Sequence, residues 1–183
     1  MNFIATCVAE AELANAADLI EYGTDGCDLG KVLVARSKTG VCAILLGANR
    51  DEMEQSLAAT FPTSLLVPNK LHVRDDLAKV VQFIASPKGD LDLELDVRGT
   101  PFQHRVWDAL RTVKSGRPVT FAQLACRVPG PKSLRAIAQA CSENPIALAI
   151  PCHRVMGNSG STFGYRWGAE RKRALVNREV AAA

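Results

Sequence analysis

Between Asp90 and Val97 the chain alternates without a break, with Leu91, Leu93, Leu95 and Val97 on one side and Asp90, Asp92, Glu94 and Asp96 on the other. A period of two sends successive side chains to opposite faces of an extended backbone, so this segment is predicted as a half-buried strand with one wet face. Upstream, Lys31 to Ser37 and Val41 to Leu46 are β-branched and aliphatic runs around Lys38-Thr39-Gly40, the pattern of a hairpin. Asp51 to Phe61 and Leu71 to Ile84 have helical spacing, the second through Leu71, Leu77, Val80, Val81 and Ile84. The first half is therefore expected to form a small α/β unit, closed by Arg98-Gly99-Thr100-Pro101.

Beyond that punctuation the period changes. Phe102, Val106, Leu110 and Val113, with Trp107 beside them, predict an amphipathic helix from about Pro101 to Val113. In Thr120-Phe121-Ala122-Gln123 a Thr hydroxyl can cap the third amide while the Gln reaches back, which starts a short helix running to about Val128. Pro129-Gly130-Pro131 breaks it, and a second helix is expected from near Pro131 to Asn144-Pro145. Two short helices across a tight turn suggest a helix-turn-helix, a pattern shared with helical hairpins that never meet DNA. On the second helix Leu134, Ile137, Ala138 and Cys141 make the apolar stripe, opposite Lys132, Arg135, Gln139 and Ser142. Small Ala136 and Ala140 allow close approach of the backbone to another surface. The polar side suits a solvated face and a groove-facing one equally well.

Charge sharpens the division. The net charge of +3 is spread unevenly: residues 1–96 hold 8 Lys and Arg against 15 Asp and Glu, whereas residues 97–183 hold 14 against 4. A half with a net charge of +10 is either a solvated basic surface or one that faces a polyanion. With 183 residues and 48% hydrophobic content, one large domain or two small ones are possible, and the charge break favours a boundary near residue 97. The longest apolar runs are too short to span a bilayer and no basic-then-apolar leader opens the chain, so no membrane association and a cytoplasmic address are expected. The six cysteines include no CxxC pair and read as reduced thiols, with Cys42 and Cys141 as small core residues. His72, His104 and His153 show no metal-ligand spacing with them.

The chemistry concentrates in Pro151-Cys152-His153-Arg154-Val155, after the apolar run Ile146 to Ile150, which reads as a strand. A thiol is nucleophilic as its thiolate, so it needs a proton acceptor or a positive field, and a flanking His and Arg on a turn supply both in principle. With Asn144-Pro145 ahead and Gly164-Tyr165-Arg166-Trp167-Gly168 behind, this string resembles the active-site signature of the O6-alkylguanine-DNA alkyltransferases. The likeness runs from Cys27-Asp-Leu-Gly30 through Gly99-Thr-Pro-Phe-Gln103, Val106-Trp107 and Leu110 to the C-terminal helix. The wording VCAILLG and GYRWG is most similar to the transferase half of bacterial Ada-type proteins. The first two dozen residues match poorly, so residues 1–26 are expected to be a linker. The cysteine-rich zinc sensor of full Ada proteins is not seen, which implies repair without a transcriptional switch.

The resemblance implies a small N-terminal α/β domain of ribonuclease-H-like type over residues 1–97, then a mainly helical, winged helix-turn-helix-like domain over 98–183. It implies irreversible, stoichiometric transfer of an alkyl group from O6 of guanine, and from O4 of thymine, in double-stranded DNA to the protein's own cysteine. No cofactor and no metal are implied, and the protein is expected to act as a monomer near the nucleoid. Residue by residue, the acceptor matches Cys152, the water-linked base His153, and the carboxylate that orients it Glu179. Asn144 matches the residue tying the helix-turn-helix to the active-site turn, and Arg135 the finger that fills the gap left by an extruded base. Tyr165, Arg166, and the backbone of Cys152 and Val155 match the guanine pocket, with Lys132 and Cys141 among the DNA and substrate contacts. Trp167 is expected to narrow the pocket against large substituents.

Three rivals stand beside this reading: a non-catalytic alkylated-DNA sensor, a transcription factor with a regulatory thiol, and a thiol protease or redox enzyme. One departure bears on rate. Phe121 stands where the family commonly has a tyrosine, whose hydroxyl helps rotate the nucleotide or neutralise the leaving base. General acid assistance is on the order of 10²–10⁴-fold, so Phe121→Tyr is expected to accelerate single-turnover alkyl transfer, and equal rates would count against a role for that hydroxyl.

Overall fold

The computed structural model describes residues 18–157 and 164–183. Cys7 and residues 1–17 of the expected linker lie outside them. The rest of that linker is corrected: Leu19–Cys27 forms strand β1, paired on both sides. Ile20 and Tyr22 bury one side of it while Glu21 stays part-exposed, an alternation too short and too glycine-rich, with Gly23 and Gly26, to stand out.

Strands β2 (Gly30–Ser37) and β3 (Gly40–Gly47) form the expected hairpin, and β4 (Leu65–Pro68) completes a four-stranded sheet in the order β3-β2-β1-β4. The first three strands are antiparallel to one another, and β4 runs parallel to β1. Val32, Leu33, Val34 and Ala35 are all fully buried, so β2 is covered on both faces. Helices α1 (Arg50–Thr60) and α2 (Arg74–Ala85) pack on the sheet. Gly23 permits this approach, because a Cβ there would lie 2.8 Å from the Lys70 Cα and 2.9 Å from a Val73 methyl.

The strand expected over Asp90–Val97 is not a ladder. Its alternation survives as part-buried leucines and exposed Asp92 and Glu94, but only Leu95 forms a bridge, to Val41. The Val41 N–H donates to the Glu94 carbonyl at 2.8 Å and the Val41 carbonyl accepts from Asp96 at 2.9 Å. The next outward-facing residue of β3, Ile44, is taken by a different segment: it donates to the Pro145 carbonyl and accepts from Ala147, each at 3.0 Å. Two segments share one sheet edge, and neither has room to extend.

The C-terminal part is helical: α3 (Pro101–Arg111), α4 (Phe121–Arg127), α5 (Leu134–Ser142) and α6 (Ala169–Ala181). The capping box Thr120/Gln123 forms as expected, and Thr100/Gln103 forms a second one that the same spacing announces. Strands β5 (Val119–Thr120) and β6 (Val155–Met156) pair in parallel and tie the start of α4 to the residues after Cys152.

Helix α5 starts later than expected, because the Ser133 hydroxyl caps it by accepting from Ala136 N at 3.2 Å. Lys132 is therefore off the helix, and its ammonium donates to the Val128 carbonyl at 2.6 Å, at the end of α4. Leu134 is 51% exposed and does not belong to the apolar stripe, which consists of Ile137, Ala140 and Cys141. Ala140 faces inward, with its carbonyl accepting from the Trp107 indole at 2.9 Å. Among the described residues no helix is long and apolar enough to cross a membrane.

Because a methyl at position 23 has nowhere to go, Gly23→Ala is expected to cost about 1–3 kcal/mol in urea denaturation, the usual penalty of overpacking. An unchanged unfolding midpoint would show that α2 can retreat from the sheet.

Candidate active site around Cys152

The run Ile146 to Ile150, expected as a strand, is instead a compact turn with one bridge, Ile146 to Ile44. Leu148 takes a positive φ of 69°, and Ile150 N–H donates back to the Ile146 carbonyl at 3.2 Å. The turn closes around Asn144, which is fully buried. Its side-chain carbonyl accepts from Ile146 N at 2.9 Å, and its amide nitrogen faces three acceptors: the carbonyls of Ile146 (3.2 Å) and Ile150 (2.9 Å), and Cys152 Sγ (3.3 Å). Two hydrogens serve three acceptors. The sequence can fold this way because the amide supplies both polarities inside an apolar turn, where an unpaired backbone group would be expensive.

Cys152 opens a single 3₁₀ turn, Cys152–Arg154, and is 4% exposed. Burial pushes its thiol up to about 11, against the Asn144 hydrogen bond and the nearby charges of Lys172 and Arg166. The resting sulfur is therefore protonated at neutral pH.

The two flanking residues do not supply the expected field at the sulfur. The His153 ring is buried, with Nε2 3.0 Å from Glu179 Oε1. Arg154 turns to the same carboxylate, with Nε 3.1 and 3.0 Å from its two oxygens and Nη2 2.9 Å from Oε1. Its remaining hydrogens go to Asp90 (2.7 Å), the Val113 carbonyl (2.6 Å) and the Gly89 carbonyl (3.3 Å). Burial alone would raise the Glu179 pKa, but the hydrogen bonds from His153 and Arg154 overcome it and hold the carboxyl at about 2. For His153 burial prevails over Glu179 and pushes its pKa down. A neutral ring that faces a carboxylate through Nε2 carries its proton there, so Nδ1 is left with its lone pair and has no partner among the described residues.

The remaining predicted residues divide into near and far. Tyr165 is buried and packs edge-on against Trp167, with centroids 5.1 Å apart. Arg166 lies over the Trp167 ring and reaches across to α1, donating to Ser56 Oγ (3.0 Å) and Thr60 Oγ1 (3.3 Å). Cys141 is buried on α5, its thiol pushed up chiefly by burial and further by proximity to the Cys152 thiol. Val155 is fully buried, and half-buried Phe121 opens α4. Arg135 is exposed on α5 and makes no ion pair among the described residues. Lys132 lies apart, at the end of α4.

Residues 101–181 match the family model of the 6-O-methylguanine DNA methyltransferase, DNA binding domain. The methylated-DNA–protein-cysteine methyltransferase of Kluyveromyces lactis is 33% identical over 184 residues, covering 94% of this chain and 94% of the relative. The chain belongs to the O6-alkylguanine-DNA alkyltransferase family. The bifunctional transcriptional activator/DNA repair enzyme Ada of Escherichia coli is 42% identical over 161 residues, which cover 88% of this chain and 46% of Ada. The chain thus spans about half the length of that relative. The crystal structure of Mycobacterium tuberculosis O6-methylguanine methyltransferase superposes with a TM-score of 0.72 at 32% identity, covering 90% of this chain and 94% of that one. A structure of the M. tuberculosis protein in complex with DNA superposes at 0.71, with 30% identity.

Within this site, sequence reasoning misses Lys172 and misjudges Arg154. Lys172 is 2% exposed on the inner stripe of α6, with Leu175, Val176 and Glu179 at helical spacing, and that stripe was the available signal. Burial pushes its pKa down, and only ionisation of Cys152 or Cys141 would pull it back up.

Glu179→Gln would leave buried Arg154 with only the exposed Asp90 carboxylate as a counter-charge and is expected to cost about 3–5 kcal/mol at neutral pH. Because the folded-state pKa is depressed from 4.5 to about 2, the stabilisation is complete above pH 4.5 and is lost as pH falls toward 2. The stability gap between the two proteins should therefore narrow over that window in denaturant titrations. A gap independent of pH would show that the ionised carboxylate is not what the site uses.

Proposed function

We propose that this chain repairs DNA by direct reversal, taking an alkyl group from O6 of guanine in double-stranded DNA onto Cys152, once and irreversibly. The observation that carries this reading is a buried, protonated cysteine held by Asn144 beside a neutral histidine whose second ring nitrogen has no partner among the described residues. Membership of a family whose relatives are named for methyl transfer from DNA to a protein cysteine supports it.

Cys152 is the nucleophile. Its thiol rests in the neutral form, so the proton must leave as the sulfur attacks, and His153 Nδ1, acting through a water, is the acceptor. Glu179 holds the ring in the tautomer that keeps Nδ1 open and stabilises the imidazolium when it forms; Arg154 holds Glu179. In-line attack makes the S–C bond as the C–O6 bond breaks, and the electron pair leaves with guanine. The thiol proton passes through His153 to solvent and guanine regains one at its ring nitrogen, so atoms and charge balance. The product thioether has no ionisable proton and no easily hydrolysed bond, which makes the reaction single-turnover. No cofactor or metal enters it.

A sulfur inside the protein reaches O6 only if the nucleotide is turned out of the stack. We read α4 and α5 as a helix-turn-helix pair in a winged arrangement, residues 98–183 as the DNA-binding and transfer unit, and residues 1–97 as a ribonuclease-H-like support. Arg135, exposed on α5 and making no ion pair among the described residues, fills the vacated space. Phe121 and Lys132 lie toward the DNA, and Cys141, Val155, Tyr165 and Arg166 enclose the base. The same reading makes the protein a cytoplasmic monomer. A non-catalytic sensor would have no use for a thiol built into this network.

Mixing the protein with duplex DNA that carries one O6-methylguanine is expected to add one methylene to the intact mass, mapped to Cys152 and absent in Cys152→Ala. Binding without a mass gain would identify a sensor instead.

A further inference from the structure

Removing the thiol proton serves one end of the displacement. At the other end negative charge develops on the departing purine, and a pre-positioned donor there lowers the barrier. Several donors around Cys152 are turned to other partners. The Asn144 amide holds the turn and the sulfur, His153 Nε2 faces Glu179, and Arg166 extends its Nη2 to Ser56 and Thr60. Phe121 has a ring and no proton to give.

Tyr165 differs from all of these. Its hydroxyl is buried and has no hydrogen-bond partner among the described residues. Native folds seldom leave such a group unpaired without a use for it. The ring is fixed on its edge by Trp167, and the Lys172 ammonium lies 5.8 Å from its centroid. A cation beside a phenol ring draws electron density from it and makes its O–H a stronger donor. Burial, followed by the charges of Cys152 and Glu179, raises the Tyr165 pKa well above its usual value, so the group is in its donating form. The other unpaired buried hydroxyl, that of Thr24, belongs to β1, on the side of the sheet remote from the edge that meets the active-site turn.

We propose that the Tyr165 hydroxyl donates the hydrogen bond that stabilises guanine as it leaves, in the role that Phe121 cannot fill. The inference rests on the alkyl-transfer reading above. The hydroxyl keeps its proton throughout: it donates a hydrogen bond to the purine while the C–O6 bond breaks, and the balance of the displacement is unchanged.

Single-turnover transfer from a duplex with one O6-methylguanine tests this with the natural protein, Tyr165→Phe, Phe121→Tyr and the double variant. Tyr165→Phe keeps the ring and is expected to lower the maximal rate constant on the order of 10- to 100-fold, the rate equivalent of one hydrogen bond to a charged acceptor. The half-saturating DNA concentration should not move. Phe121→Tyr should accelerate the Tyr165→Phe background by a larger factor than the natural one, because the two hydroxyls serve one charge. A maximal rate within twofold of the natural protein, a loss confined to half-saturation, or an equal gain from Phe121→Tyr in both backgrounds would overturn the proposal. Should Tyr165→Phe not fold, 3-fluorotyrosine keeps the hydroxyl and strengthens it as a donor. The chain has two tyrosines, so global replacement touches only Tyr22 and Tyr165. A faster maximal rate is expected at neutral pH, and an unchanged or slower one would overturn the proposal. Failure of the natural protein to methylate Cys152 would remove the transfer reading and this inference together, whereas normal transfer by both natural protein and Tyr165→Phe would remove this inference alone.

Discussion

Glu179 carries a full negative charge to a place that is 2% exposed, and the arrangement around Cys152 follows from how that charge is compensated. A lone carboxylate there would take up a proton rather than stay ionised. Arg154 prevents this by placing three contacts on it, and its other hydrogens reach Asp90, Gly89 and Val113. One guanidinium thus fastens together the last helix, the 3₁₀ turn, the end of the α3 region and the connection that precedes residue 97. Gly116, with a φ of 69°, lets the following loop lie against the same stretch of α6, since a Cβ there would sit 2.9 Å from the Glu179 carbonyl oxygen. With its charge already matched by Arg154, Glu179 can accept from His153 without having to ionise it. Burial is the main reason the histidine is neutral, and the charge of Arg154 acts in the same direction.

Much of this was legible in the sequence. Thr120 and Gln123 announced a helix start because a capping box is a local device whose two hydrogen bonds lie within four residues. The β2-β3 hairpin was legible for the same reason. Resemblance singles out Cys152, His153, Asn144 and Glu179, and the fold pairs Asn144 with Cys152 and His153 with Glu179, the two pairs meeting at adjacent residues of one turn.

What could not be read depends on distant partners. Asp90–Val97 has the alternation of a strand, and whether it forms a ladder was decided by the competition of residues 145–147 for the same edge. Ile146 to Ile150 is apolar enough for a strand, but a buried amide three-dimensionally central to it made a turn cheaper. Sequence places Arg154 beside the thiol; a side chain of that length answers to the nearest buried charge, and Glu179 is 25 residues away along the chain. Lys172 is inconspicuous in the sequence because lysine is so often solvated, although the spacing places it on the inner stripe of α6.

The edge of β3 has a further meaning. Apolar strands with open N–H and C=O groups are templates on which other chains add strands, and proteins protect such edges by covering them. Here the cover is partly the active-site turn, through Pro145, Ala147 and their bonds to Ile44. Solubility of the folded chain and integrity of its reactive loop are therefore one property, and anything that pulls the turn away from β3 uncovers an adhesive surface.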